Sequence, residues 1–77
     1  MLIYPNPGTG AFSLNLSNAA KGNYTLSIHD VLGRRISERN VDFSRQKTIP
    51  FEINSKGLYF VSLKNGNNRI TQKVLVE

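Results

Sequence analysis

The sequence predicts an all-β domain: an antiparallel two-sheet sandwich of about seven short strands, with a small barrel as the alternative. Three observations lead there. Apolar and polar residues alternate with period two in short stretches along the whole chain, which is the signature of half-buried strands. Helical periodicity is found nowhere. Each stretch is closed by turn residues such as Gly, Pro, Asn and Ser, the spacing expected of a sandwich or barrel. At 77 residues the chain is a single domain, 1–77. A chain of this size buries roughly two-thirds of its unfolded surface, so its margin of stability is thin.

The elements follow in order. Residues 2–4 form a first short strand, ended by Tyr4-Pro5-Asn6-Pro7-Gly8-Thr9-Gly10. Two prolines fix φ and remove two backbone donors, so regular pairing stops there, and the glycines supply any positive φ the turn needs. In residues 11–16, Phe12, Leu14 and Leu16 share a face. In residues 23–30, Tyr24, Leu26 and Ile28 oppose Thr25, Ser27 and His29. A strand over 34–43 follows the Leu32-Gly33 turn. In residues 47–53, Ile49, Phe51 and Ile53 alternate with Thr48, Pro50 and Glu52. Pro50 cannot donate to a ladder, which puts this strand at an edge or breaks it. Residues 57–64 and 69–76 flank Asn65-Gly66, a pair suited to the primed turns of a tight hairpin, so these two strands pair antiparallel. Further turns are expected at Ser17-Asn18, Lys21-Gly22-Asn23 and Asn54-Ser55-Lys56-Gly57. The runs Leu58–Leu63 and Val74–Val76 are densely apolar, as for strands buried on both faces or set between a core and a partner. By alternation Phe12, Tyr24, Phe51 and Phe60 face the core, while the parity of Tyr59 stays open.

Ten Lys and Arg against five Asp and Glu leave a net charge of +5. The cations are dispersed and only Arg34 and Arg35 are adjacent, which reads as a solvated surface rather than a polyanion site. With the aromatics assigned to the core, no stacking platform for single-stranded nucleic acid is expected. There is no cysteine, hence no disulfide framework and no thiolate metal site. No apolar run approaches the ~20 residues needed to span a bilayer. The first residues lack the charged start and apolar stretch of a signal peptide, so Met1 reads as the start of a piece of a longer protein. His29 and Asp30, as strand neighbours, point to opposite faces and make no dyad. The five carboxylates do not cluster in sequence, and no helix follows Gly8 or Gly10 to cradle a phosphate. The triplets Asn15-Leu16-Ser17 and Asn23-Tyr24-Thr25 carry no weight without a glycosylating host. No catalytic, cofactor-binding or metal-ligating residue is assigned, and the chain is read as a non-enzyme. Asp30 to Arg34 reads as a tight turn in which Asp30 accepts backbone bonds and Gly33 takes positive φ.

Three blocks together resemble the C-terminal sorting domain of the type IX secretion system of Bacteroidetes (type A). They are Tyr4-Pro5-Asn6-Pro7 with Gly10 and the strand after it; Ser27-Ile28-His29-Asp30-Val31-Leu32-Gly33-Arg34; and Gly57-Leu58-Tyr59-Phe60-Val61-Ser62-Leu63 followed by Thr71-Gln72-Lys73-Val74-Leu75-Val76-Glu77. The resemblance spans essentially the whole chain. It implies an immunoglobulin-like β-sandwich that catalyses nothing and binds no cofactor. It also implies a C-terminal appendage of a longer secreted precursor that directs a covalently linked N-terminal cargo across the outer membrane. Implied partners are the translocon and an outer-membrane sortase that commonly removes the domain at a site upstream. The implied itinerary is the periplasm in transit, then the cell surface or the medium.

On this reading Pro5, Asn6, Pro7, Gly10, Asp30, Gly33 and Arg34 are structural motif residues. Lys73, Val74, Leu75, Val76 and Glu77, with Gly57 and Tyr59 on the paired strand, are the expected partner-recognition edge. Strand addition or carboxylate capture would both suit such an end. An edge strand in a small sandwich also allows a homodimer across a two-fold axis. The competing reading is an immunoglobulin-like accessory or carbohydrate-binding module of an extracellular enzyme, against which the absence of Trp counts. A basic nucleic-acid-binding barrel, with affinity falling steeply in salt, is the third.

Overall fold

A computed structural model of the protein describes residues 1–16 and 22–77. Within these residues seven strands form: β1 Leu2–Tyr4, β2 Ala11–Asn15, β3 Asn23–Asp30, β4 Arg35–Asp42, β5 Thr48–Glu52, β6 Gly57–Asn65 and β7 Asn68–Val76. The expected Ser17-Asn18 turn, and Lys21 of the Lys21-Gly22-Asn23 turn, lie outside the described residues. Strand ends differ from expectation by about one residue, because single backbone bonds carry pairing past the regular ladder. Leu16 donates to the Lys47 carbonyl, Phe43 to Gly22 and Ile53 to Gly10.

All pairing is antiparallel within two sheets, one ordered β1-β2-β5 and the other β4-β3-β6-β7. This is an immunoglobulin-like sandwich in which the fourth strand joins the second sheet rather than the first. Inward residues of β2, β3, β5 and β6 alternate and meet in one core, to which β1 adds Ile3, β4 adds Val41 and β7 adds Val74 and Val76. Leu14, Val61, Val74 and Leu63 are the most deeply buried side chains. Phe12 and Phe51 are register partners on β2 and β5, and their rings stack with centroids 5.4 Å apart. Tyr24 and Phe43 meet edge to face.

Pro50 sits in β5, an edge strand of the three-stranded sheet, where a missing donor breaks no ladder. Beside it, Arg39 of β4 occupies an inward register position opposite Leu26, yet remains exposed. Its guanidinium donates to the Pro50 carbonyl and bridges the open side between the two sheets. The β6–β7 hairpin closes through Gly66-Asn67, with Gly66 at φ +60 and no positive φ at Asn67. That is the II′ pattern, with glycine at the first central position.

One core assignment is corrected. Tyr59, not Phe60, enters the core from β6: Tyr59 is buried, whereas Phe60 is half-buried on the outer face beside its register partners His29 and Lys73. Phe60 shares its parity with Ser62 and Lys64, and Tyr59 shares its own with Val61 and Leu63.

Candidate interaction site at the C-terminal strand

The three motif blocks of the sequence converge on one end of the sandwich. Gly57 opens β6 at φ +144, a region that favours glycine, and a Cβ there would lie 3.6 Å from the Tyr59 ring. The Tyr59 hydroxyl donates to the Ser55 carbonyl at 2.9 Å. A buried tyrosine near the start of the sixth strand, bonded to backbone four residues upstream, is the tyrosine corner of immunoglobulin-like domains. Gly57 and Tyr59 thus set the corner that leads into β6.

β7 pairs along its whole length with β6, so Tyr59 faces Val74 and Gly57 faces Val76. Val74 and Val76 are buried, while Lys73, Leu75 and Glu77 project outward. The other side of β7 is a sheet edge, and here the Pro5–Gly8 segment acts. The Asn6 amide donates to the Lys73 carbonyl at 3.0 Å, and its carbonyl oxygen accepts the Leu75 N–H at 3.2 Å. Gly8 continues the pattern with its backbone, donating to Leu75 O at 3.0 Å and accepting from Glu77 N at 2.8 Å in a parallel bridge. The Asn6 side chain therefore stands in for a peptide group, and the edge from Lys73 to Glu77 is already strapped. The expectation of a free edge there is corrected: strand addition at this point must first displace Asn6 and Gly8. Pro5 and Pro7 flank Asn6, so neither neighbour brings an N–H needing a partner.

Asn6→Ala removes both strap bonds at Lys73 and Leu75 while sparing the core. It is expected to cost about 1–2 kcal/mol and to accelerate hydrogen exchange at the Leu75 amide. An unchanged Leu75 exchange rate would contradict the strap.

The β3–β4 turn is the second motif. Asp30 Oδ1 accepts the Leu32 and Arg34 amides at 3.0 and 2.9 Å, and Oδ2 accepts Arg34 Nε at 2.8 Å. Gly33 takes φ +83 and its N–H donates to the Asp30 carbonyl. Arg34 is thus engaged within the turn, and Arg35 pairs with Glu38. Partial desolvation raises the Asp30 pKa, but the Arg34 and Leu32 hydrogen bonds and the Arg34 charge outweigh it and hold the carboxyl below its usual value. The turn is therefore stabilised fully above the ordinary carboxylate range near pH 4, and loses that stabilisation as pH falls through the lowered pKa. In an NMR titration the Leu32 and Arg34 amides should move with a midpoint below that of a free Asp, and Asp30→Asn should abolish the transition.

Among the described residues no three His, Cys, Asp or Glu side chains come together as a metal-ligand set. No helix there is long and apolar enough to cross a membrane.

The family model for the secretion system C-terminal sorting domain matches residues 2–77. The chain belongs to that family. No curated protein matches it. This sorting domain is a type IX secretion signal module, and membership implies a link to a cargo protein and export to the cell surface or the medium. The family is a targeting rather than a catalytic one.

Sequence reasoning placed the sorting domain's motif residues at their turns and strands. It missed the strap, whose donors and acceptors lie 67 and 69 positions apart in sequence. It also missed the outer position of Phe60, for which Ser62 and Lys64 on the same parity were the available signal.

Proposed function

We propose that this sorting domain is a non-catalytic export address that carries a folded, N-terminally linked cargo from the periplasm through the type IX translocon. An outer-membrane sortase then removes it. Recognition uses the outward residues of the strapped terminal strand, Lys73, Leu75 and Glu77. Gly57, Tyr59, Val74 and Val76 act beneath them by holding that strand in place. The observation that carries this reading is the doubly held β7: Val74 and Val76 lock it into the core and Asn6 and Gly8 into its edge, so its exposed side chains are presented in one geometry. Preorganisation of this kind lowers the entropy cost of docking.

The test is a signal-peptide-bearing fluorescent reporter fused through a family-like linker to residues 1–77, expressed with and without a working type IX translocon. Reporter outside the cell only when the translocon is present is the expected result. An intact, folded fusion that stays periplasmic in both hosts would overturn the proposal and favour an accessory module. A folded Lys73→Ala variant exported as well as its parent would remove Lys73 from the recognition surface.

A further inference from the structure

The two outer faces of the sandwich differ in charge. On the three-stranded sheet the outward positions are Leu2, Tyr4, Ser13, Asn15, Thr48, Pro50 and their neighbours Ala11 and Glu52, with no cation among them. On the four-stranded sheet, β6 and β7 turn outward Phe60, Ser62 and Lys64 against Lys73, Thr71 and Arg69. That stretch holds three cations and no carboxylate. The carboxylates on β4 are engaged within the domain: Glu38 with Arg35 and Ser27, Asp42 with Ser44. Lys64, Arg69 and Lys73 make no ion pair among the described residues.

Two details set this face apart from an ordinary solvated surface. Lys64 and Arg69 are direct register partners, and like charges placed opposite each other destabilise a sheet. Cross-strand stabilisation therefore does not account for this pair. Beside them a shallow hollow of about 310 Å³ is lined by His29, Val31, Phe60, Ser62, Arg69 and Thr71, with the half-buried Phe60 ring contributing apolar surface; Asp30 and Gly33 complete its rim, and the Asp30 carboxylate is already paired with Arg34.

Resting on the sorting-domain reading above, we infer that the outer face of β6 and β7 is a docking surface for an acidic protein partner. That partner sets carboxylates against Lys64, Arg69 and Lys73 and one apolar side chain into the hollow over Phe60. Charge complementarity selects this occupant, and an apolar anchor within a charged rim is the usual anatomy of a protein interface.

The test uses the export fusion with Lys64→Glu, which turns the repulsive pair into an attractive one. The expected result is a melting temperature equal to or above that of the parent, with export reduced about tenfold. A structural role for Lys64 cannot produce that combination. Lys64→Arg should export normally, as should the control Lys56→Glu, which changes net charge equally away from this face. Export of Lys64→Glu at the parental level, or an equal loss with Lys56→Glu, would overturn the inference.

A second arm does not depend on export, so its outcome separates failure of the docking surface from failure of the sorting reading. The purified domain is titrated with an alternating Glu-Leu decapeptide and with a ten-nucleotide dT strand, observed by NMR. Shifts at Phe60, Ser62, Arg69 and Thr71 with the peptide, lost in Lys64→Glu/Arg69→Glu, support the inference. Binding of the dT strand alone at those residues, or of neither probe, overturns it.

Discussion

Leu14→Ala should lower the stability of the domain by about 3 kcal/mol, within the range for fully buried leucines cut to alanine. Leu14 of β2 is wholly excluded from solvent, between Ile3 of β1 and Ile49 of β5. Its side chain enters the core shared by the two sheets, so truncation leaves a cavity between them that its neighbours only partly fill. For a domain this small, that loss is a large share of a total of roughly 5–15 kcal/mol. The unfolded population rises about 100-fold or more, and the melting temperature falls by about 12–24 °C. Urea titration should show the midpoint move with an unchanged slope. Leu58→Ala, on the outer face, provides the contrast and should stay within about 0.5 kcal/mol of the parent. A Leu14→Ala loss no larger than that of Leu58→Ala would refute the packing assigned to β2.

Gly8→Ala should be nearly as damaging, for a different reason. Gly8 does not need positive φ; what it lacks is room. A Cβ there would stand 2.7 Å from Phe12 Cε1 and 2.8 Å from the Pro5 carbonyl oxygen. The first neighbour is a core ring stacked on Phe51, and the second is backbone held by the adjacent proline. Neither yields cheaply, so overpacking costs about 2–3 kcal/mol. The loss should also be local in a way that Leu14→Ala is not. Gly8 carries two of the bonds to β7, and the Gly8 and Glu77 amides should lose hydrogen-exchange protection before the core does. Gly66→Ala tests the opposite case. There φ is +60 and nothing lies within 4 Å, so only the backbone term of about 1 kcal/mol applies. If Gly8→Ala cost no more than Gly66→Ala, the close packing of the strap would be refuted.

The strap changes the meaning of the terminal motif. Read alone, Lys73–Glu77 looks like an edge awaiting a strand. In the folded domain its backbone is satisfied by Asn6 and Gly8, and only side chains remain on offer. Because Asn6 bonds the backbone of β7, an Asn6 substitution should loosen the Lys73–Leu75 edge, whereas a Lys73 side-chain substitution leaves the strap bonds in place.

Much of this was legible along the chain. Alternation located the strands to within about a residue, Pro50 marked an edge, Asn65-Gly66 marked a hairpin, and Asp30 with Gly33 marked a turn. Each depends on residues close in sequence, through φ restriction, local hydrogen bonding or period-two geometry, and such forces can be read locally. Three features depended on the tertiary structure. Between Leu58 and Val61 both parities are apolar, so only Ser62 and Lys64 hinted at the phase, and pairing with β3 and β7 turned Tyr59 inward and Phe60 outward. The placement of β4 in the second sheet follows from its ladder with β3, which no composition distinguishes from a place in the first. The strap joins residues from opposite ends of the chain. The strands and their turns were readable along the chain, because those are set by neighbouring residues. The fold alone decided which faces and edges meet, because those contacts exist only once both sheets have closed on a common core.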